Sequence, residues 1–117
     1  MPSFRKGDVI KVPFPYGDRP TRQSRPALVV SSGDLENAHS LFWVVMITSA
    51  QNRGWPRDVP VNDLAAAGLP VPSVIRTAKI ATIEAADAAR LGRITPALYR
   101  HVARHLSGVL GLGAARS

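Results

Sequence analysis

The sequence predicts a mainly β, α+β fold: a small antiparallel barrel capped by one C-terminal helix. Three observations predict it. Short apolar runs recur along the chain, bounded by proline, glycine and polar residues, as strands joined by tight turns read. One of them, Leu41 to Ile47, is apolar without interruption, which implies a strand buried on both faces. After Thr95-Pro96 the apolar spacing changes to three and four residues, the period of a helix.

Gly7-Asp8 opens the first strand, Val9 to Val12, with Lys11 as its polar interruption. Pro13-Phe14-Pro15 is expected to end regular pairing, because proline has no N–H to donate to a ladder. Tyr16 to Ser24 reads as a polar loop, and residues 27 to 31 as the second strand. Gly33 to His39 is a turn or a short helical piece. Residues 41 to 48 form the third strand, and Ala50 to Arg57 is a polar, basic loop containing Trp55-Pro56.

Asp58-Val59-Pro60-Val61 suits a short edge strand, and Leu64 to Pro72 a loop of small apolar residues. Ser73 to Arg76 and Lys79 to Ile83 read as two further short strands. Thr95 is a hydroxyl N-cap followed by proline at the first helical position. Leu98, Val102, Leu106 and Val109 mark the apolar face of the helix, and Gly111 stops it. Phe14, Phe42 and Trp43 suit an interface or the core, and the core is expected. With 117 residues, no repeat and no linker, residues 1–117 are expected to form one domain.

The net charge of +7 is high for this size, and twelve of the fifteen basic residues are arginine. Arginine binds phosphate bidentately and stacks on bases, so nucleic acid or an acidic protein segment is the leading partner class. There are no cysteines, which excludes disulfide scaffolds, thiolate zinc sites and cysteine nucleophiles. The N-terminal residues lack a hydrophobic signal segment and the apolar runs are too short to span a bilayer. A cytoplasmic protein without a membrane partner is expected.

The chemistry concentrates at two strand ends. Arg25-Pro26 leads directly into the apolar run Ala27 to Ser31, and the run Leu41 to Ile47 ends in the hydroxyl pair Thr48-Ser49. If these strands lie side by side, a permanent cation and two hydroxyls share one rim of the barrel, a phosphate-binding arrangement.

Gly7-Asp8-Val9, Arg25-Pro26 with its strand, Ile47-Thr48-Ser49, Ser73 to Arg76, Lys79 to Ile83 and Gly92 to Thr95 occur in an order and spacing that resembles the MazF/PemK/Kid toxin family. The similarity covers almost the whole chain. It implies an SH3-like barrel, a homodimer, and an endoribonuclease that needs no metal or other cofactor and cuts single-stranded RNA at short sequences. It also implies a cognate antitoxin whose acidic tail blocks the RNA groove, and contact with operator DNA only through the antitoxin complex. Arg25 and Thr48 match the family's central catalytic pair. Arg76 matches an arginine that some members use at the site, and it also suits a cross-strand ion pair. Where some members carry a carboxylate two residues further on, this chain has Ala78.

RNA brings its own nucleophile, the 2′-hydroxyl, so the protein has to align the attack, move protons and stabilise charge on the phosphorane. Arg25 suits the charge role and is a poor base, since guanidinium holds its proton. Thr48 is expected to donate a hydrogen bond to a phosphate oxygen, with Ser49 behind it. Asp18 is a substitute acid/base group or a turn aspartate. Tyr16, Arg19, Arg22, Arg53, Trp55 and Arg57 are grouped in two loops and suit a basic, aromatic groove for unstacked bases. His101 and His105 have the four-residue spacing of a metal pair. Val102 stands where that motif has its glutamate, and no third ligand is evident, so no metal site is expected. His39 carries no readable signal. Two other readings keep the fold: a CcdB-like gyrase poison, against which stands a C-terminus without an aromatic residue, and a catalytically degenerate module that only binds RNA or an antitoxin.

Overall fold

The computed structural model describes residues 4–14, 23–52 and 54–112. The described strands and helices are β1 (Asp8–Phe14), β2 (Gln23–Val29), α1 (Gly33–His39), β3 (Leu41–Ser49), β4 (Asp58–Pro60), α2 (Leu64–Ala67), β5 (Ser73–Glu84), β6 (Ala89–Arg93) and α3 (Pro96–Leu110). The strands pair antiparallel in one sheet of order β4-β5-β3-β2-β1-β6. The edge strands β4 and β6 do not pair with each other, so the expected barrel is an open one. The mainly β, α+β class stands.

Strand alternation sends side chains to two separate apolar clusters. Val9, Leu28, Val45 and Ile47 pack with Val59, Ile75 and the helix residues Leu98 and Val102. Their neighbours Ile10, Ala27, Val29, Val44 and Met46 pack with Phe42 and Ile83 on the other face. This two-sided burial is why the third strand reads as an unbroken apolar run. Trp43 departs from expectation: Phe42 is buried, but Trp43 is 47% exposed beside Ile80 and Leu110. It lies where the cover of α3 ends, since Leu110 is the last residue of that helix and is itself exposed. The side chain of Phe14 lies outside the described residues.

Several boundaries differ from the sequence reading. The two strands expected at 73–76 and 79–83 are the halves of one strand, β5. Met46 pairs with Arg76 while Val45 pairs with Ile80, so Thr77, Ala78 and Lys79 have no counterpart on β3 and the ladder shifts there. The first half then pairs with β4 on its other side. Pairing in β1 continues through Pro13 and Phe14 to Ser24 and Gln23, and β2 correspondingly starts earlier and ends at Val29.

The expected loop from Leu64 contains the single-turn helix α2, because the Asp63 carboxylate accepts from the Ala66 N–H at 3.1 Å and Gly68 adopts the left-handed conformation that ends it. Strand β6 has no counterpart in the sequence reading. It is polar and largely exposed, but it pairs with β1, and buried Asp8 joins it through Arg93 and Arg90.

The helix α3 follows its sequence signals closely. Thr95 Oγ1 accepts from the Leu98 N–H at 3.1 Å, proline occupies the first turn, and Gly111 caps the end. Such a cap contributes about 1 kcal/mol. Burying Leu98 and Val102 contributes roughly 1.5–3 kcal/mol each, so docking outweighs capping in holding the helix to the sheet.

Candidate active site

The β2–β3 ladder stops at Ala27 opposite Met46. Pro26 offers no N–H to either neighbouring strand. The residues just beyond the end of the ladder line a cavity of about 400 Å³: Arg25 and Pro26 on one side, Ile47, Thr48 and Ser49 on the other. The cation and the two hydroxyls expected at one rim are thus brought together. Lys11, opposite Pro26 on β1, adds a second cation to the lining.

The far wall is Gly68 to Val71 with Leu91. It can stand there because α2 and β6 approach at glycines. A Cβ on Gly68 would fall 2.7 Å from the Leu91 carbonyl carbon, and one on Gly92 would fall 2.5 Å from that of Ala67. A second depression, lined by Ser49 to Gln51 and by Val71 and Pro72, shares Ser49 and Val71 with the first and extends it into a groove.

The hydroxyl of Thr48 is buried and oriented. Asn52 Nδ2 donates to Thr48 Oγ1 at 3.1 Å. A hydroxyl has one hydrogen and two lone pairs, so filling a lone pair leaves the Thr48 hydrogen available to an acceptor. Ser49 Oγ likewise accepts, from the Gln51 N–H at 3.2 Å. The 3-10 turn Ala50–Asn52 brings both donors back onto the hydroxyl pair.

Asn52 is itself tied down by Arg76. Arg76 pairs with Asp58 through Nε (3.2 Å) and Nη2 (2.9 Å), and Nη2 also donates to the Asn52 carbonyl oxygen at 2.6 Å. Both ion-pair partners are buried, and the guanidinium lies 4.2 Å from the Trp55 ring centroid. Asp58 and Arg76 are register partners on β4 and β5. Arg76 is therefore placed as the cross-strand ion pair, outside the cavity lining, and it reaches Thr48 only through Asn52.

The other expected site residues separate. Trp55 is half-exposed over Arg76 and Lys79. Arg57 turns away to α3, where it shares a small pocket with His101, Arg104 and His105. Tyr16, Asp18, Arg19, Arg22 and Arg53 lie outside the described residues. Ala78 is exposed in the unpaired segment of β5. His101 and His105 stack edge to face with centroids 4.8 Å apart, and among the described residues no three His, Asp or Glu side chains are grouped to hold a metal ion. Among the described residues no helix is long and apolar enough to cross a membrane.

Sequence reasoning missed Lys11, Asn52 and the wall at residues 68–71. Lys11 had a signal, as the one polar residue of an apolar strand. Asn52 had none, because its use depends on the 3-10 turn that follows Thr48.

A family model described as PemK-like, MazF-like toxin of type II toxin-antitoxin system matches residues 5–110. Among solved structures, MazF from Deinococcus radiodurans is similar with a TM-score of 0.75 at 21% identity, over 92% of this chain and 96% of that one. An endoribonuclease in complex with its cognate antitoxin, from a mycobacterial species, has a TM-score of 0.71 at 22% identity, over 96% and 97% of the two chains. The Mycobacterium tuberculosis toxin MazF-mt6 has a TM-score of 0.69 at 23% identity, over 89% and 97%. At these identities the structural likeness is one of fold. No curated protein sequence matches the chain.

Proposed function

This chain belongs to the PemK-like, MazF-like toxins of type II toxin-antitoxin systems, and on that premise we propose that it is an endoribonuclease cutting single-stranded RNA without a metal ion. The observation that carries the reading is the shared cavity of Arg25 and Thr48, with the threonine hydroxyl already oriented by Asn52. In the reaction the 2′-oxygen bonds to the adjacent phosphorus while the bond from phosphorus to the 5′-oxygen breaks. One proton leaves the 2′-hydroxyl and one arrives at the 5′-oxygen, giving a 2′,3′-cyclic phosphate and a 5′-hydroxyl end.

Arg25 holds the non-bridging phosphate oxygens with its planar fork and stabilises the charge that grows on them. Thr48 donates its remaining hydrogen to the same oxygens, with Ser49 as a second donor. Lys11 adds positive potential to the cavity. The groove continuing past Ser49 and Val71 accommodates the strand on either side of the scissile phosphate. Arg76 acts from behind, by holding Asn52. The protein works as a homodimer in the cytoplasm, and an acidic antitoxin segment covers the groove. The solved MazE–MazF complexes of D. radiodurans support that partner, through the shared fold.

Incubating the protein with a long RNA in EDTA and mapping the new ends tests the reading. The expected outcome is 5′-hydroxyl ends at a short recurrent sequence, absent with Arg25→Ala. RNA that is bound but never cut, even with protein in excess, would instead assign the chain a binding role only.

A further inference from the structure

A second concentration of positive charge lies away from the groove, where the loop before β4 meets α3. Arg57 has a left-handed backbone, with φ 68°, unusual for a residue with a Cβ. Thr77 Oγ1 donates to its carbonyl oxygen at 2.9 Å, and its guanidinium lies across α3 at Gly108. A Cβ on Gly108 would overlap that guanidinium, falling 2.6 Å from Cζ. Glycine weakens a helix interior, and here it stands where the guanidinium needs room.

His101, Arg104 and His105 complete the lining of a pocket of about 160 Å³. Nδ1 of His105 is buried there and makes no hydrogen bond. Among the described residues no carboxylate pairs with any of the four side chains. Repulsion from His101, Arg57 and Arg104 adds to burial in holding the His105 pKa below its ordinary value. Basic side chains brought together without a counter-charge are relieved by a compact anion.

We infer that Arg57, His101, Arg104 and His105 form a phosphate-binding site separate from the Arg25–Thr48 cavity. The two guanidinium forks match phosphate oxygens, and the imidazoles of His101 and His105 add further donors to the same lining. Two sources share this chemistry, a phosphate carried on an RNA strand and free phosphate, and both present the oxygens that the guanidinium forks read. The phosphate chemistry stands without the cleavage reading, whereas the strand as its source rests on that reading.

Histidine resonances followed by NMR during titration with inorganic phosphate, against chloride at matched ionic strength, test the site. His101 and His105 are expected to shift together, and the response to be lost in Gly108→Ala, whose added methyl meets only the movable end of Arg57. Unmoved resonances in the wild-type protein overturn the site. So does displacement by oligoglutamate with no response to phosphate, which would assign the pocket to carboxylates. An uncleavable 2′-O-methyl oligonucleotide tests the source independently of catalysis. Gly108→Ala and Arg104→Ala are each expected to weaken its binding about fivefold and to lower the salt slope by about one. A phosphate response with unchanged oligonucleotide binding overturns the strand as the source and leaves free phosphate.

Discussion

Arg25 of β2 and Thr48 of β3 line one cavity just beyond the end of the ladder between their strands. The hydrogen-bonded ladder ends before them, so the cavity opens between the two residues instead of being filled by strand pairing. On the proposed reading, a phosphate bound between them would meet a guanidinium on one side and a hydroxyl on the other. Removing either donor is expected to lower cleavage by roughly 10²–10³-fold, as loss of one preorganised donor does elsewhere. Thr48→Ser should keep most of the rate and Thr48→Ala should not. Single-turnover cleavage of one defined RNA oligonucleotide measures this, and equal rates for the two variants would remove Thr48 from the mechanism.

Asn52 is the positioning residue for that hydroxyl. Asn52→Ala is expected to lower kcat about tenfold with little change in KM, since an unoriented hydroxyl still donates part of the time. In a Thr48→Ala background the same substitution should have no further effect, because the group it orients is already gone. An additive loss in the double variant would place Asn52 elsewhere in the reaction.

The Asp58–Arg76 pair predicts a stability effect behind the candidate site. Arg76 is only 6% exposed, so removing its partner leaves a cation in a low-dielectric surrounding. Asp58→Ala is expected to cost roughly 3–5 kcal/mol in urea unfolding, far more than an exposed ion pair would. A loss below about 1 kcal/mol would mean that Arg76 finds water or another partner readily.

His105 makes stability depend on pH in a defined direction. Its pKa is lowered in the folded protein by burial first, then by repulsion from His101, Arg57 and Arg104. Below the ordinary histidine value the unfolded chain therefore takes up the proton more readily than the folded one. The stability present above about pH 6.5 is lost as pH falls from there toward the folded-state value. Urea unfolding at pH 7.5 and 5.5 should show a smaller loss for His105→Gln than for the wild-type protein. Equal losses would show that His105 does not contribute.

Much of this was legible in the chain itself, for a physical reason. Strand periodicity, the Thr95 cap with Pro96, and the stop at Gly111 are short-range effects, so α3 and five of the six strand positions could be read directly. Arg25-Pro26 and Thr48-Ser49 were readable as a pair because one opens an apolar run and the other closes one. What only the tertiary structure decided is set by register between residues far apart in the chain. It joined the 73–76 and 79–83 segments into one strand, paired polar β6 with β1, and gave Arg76 to Asp58 instead of to the cavity. It also brought Lys11 and Asn52 to the site and carried Arg57 from the expected groove to α3. None of those partners is encoded by spacing along the chain, because each depends on which strands lie side by side and where the ladder between them slips.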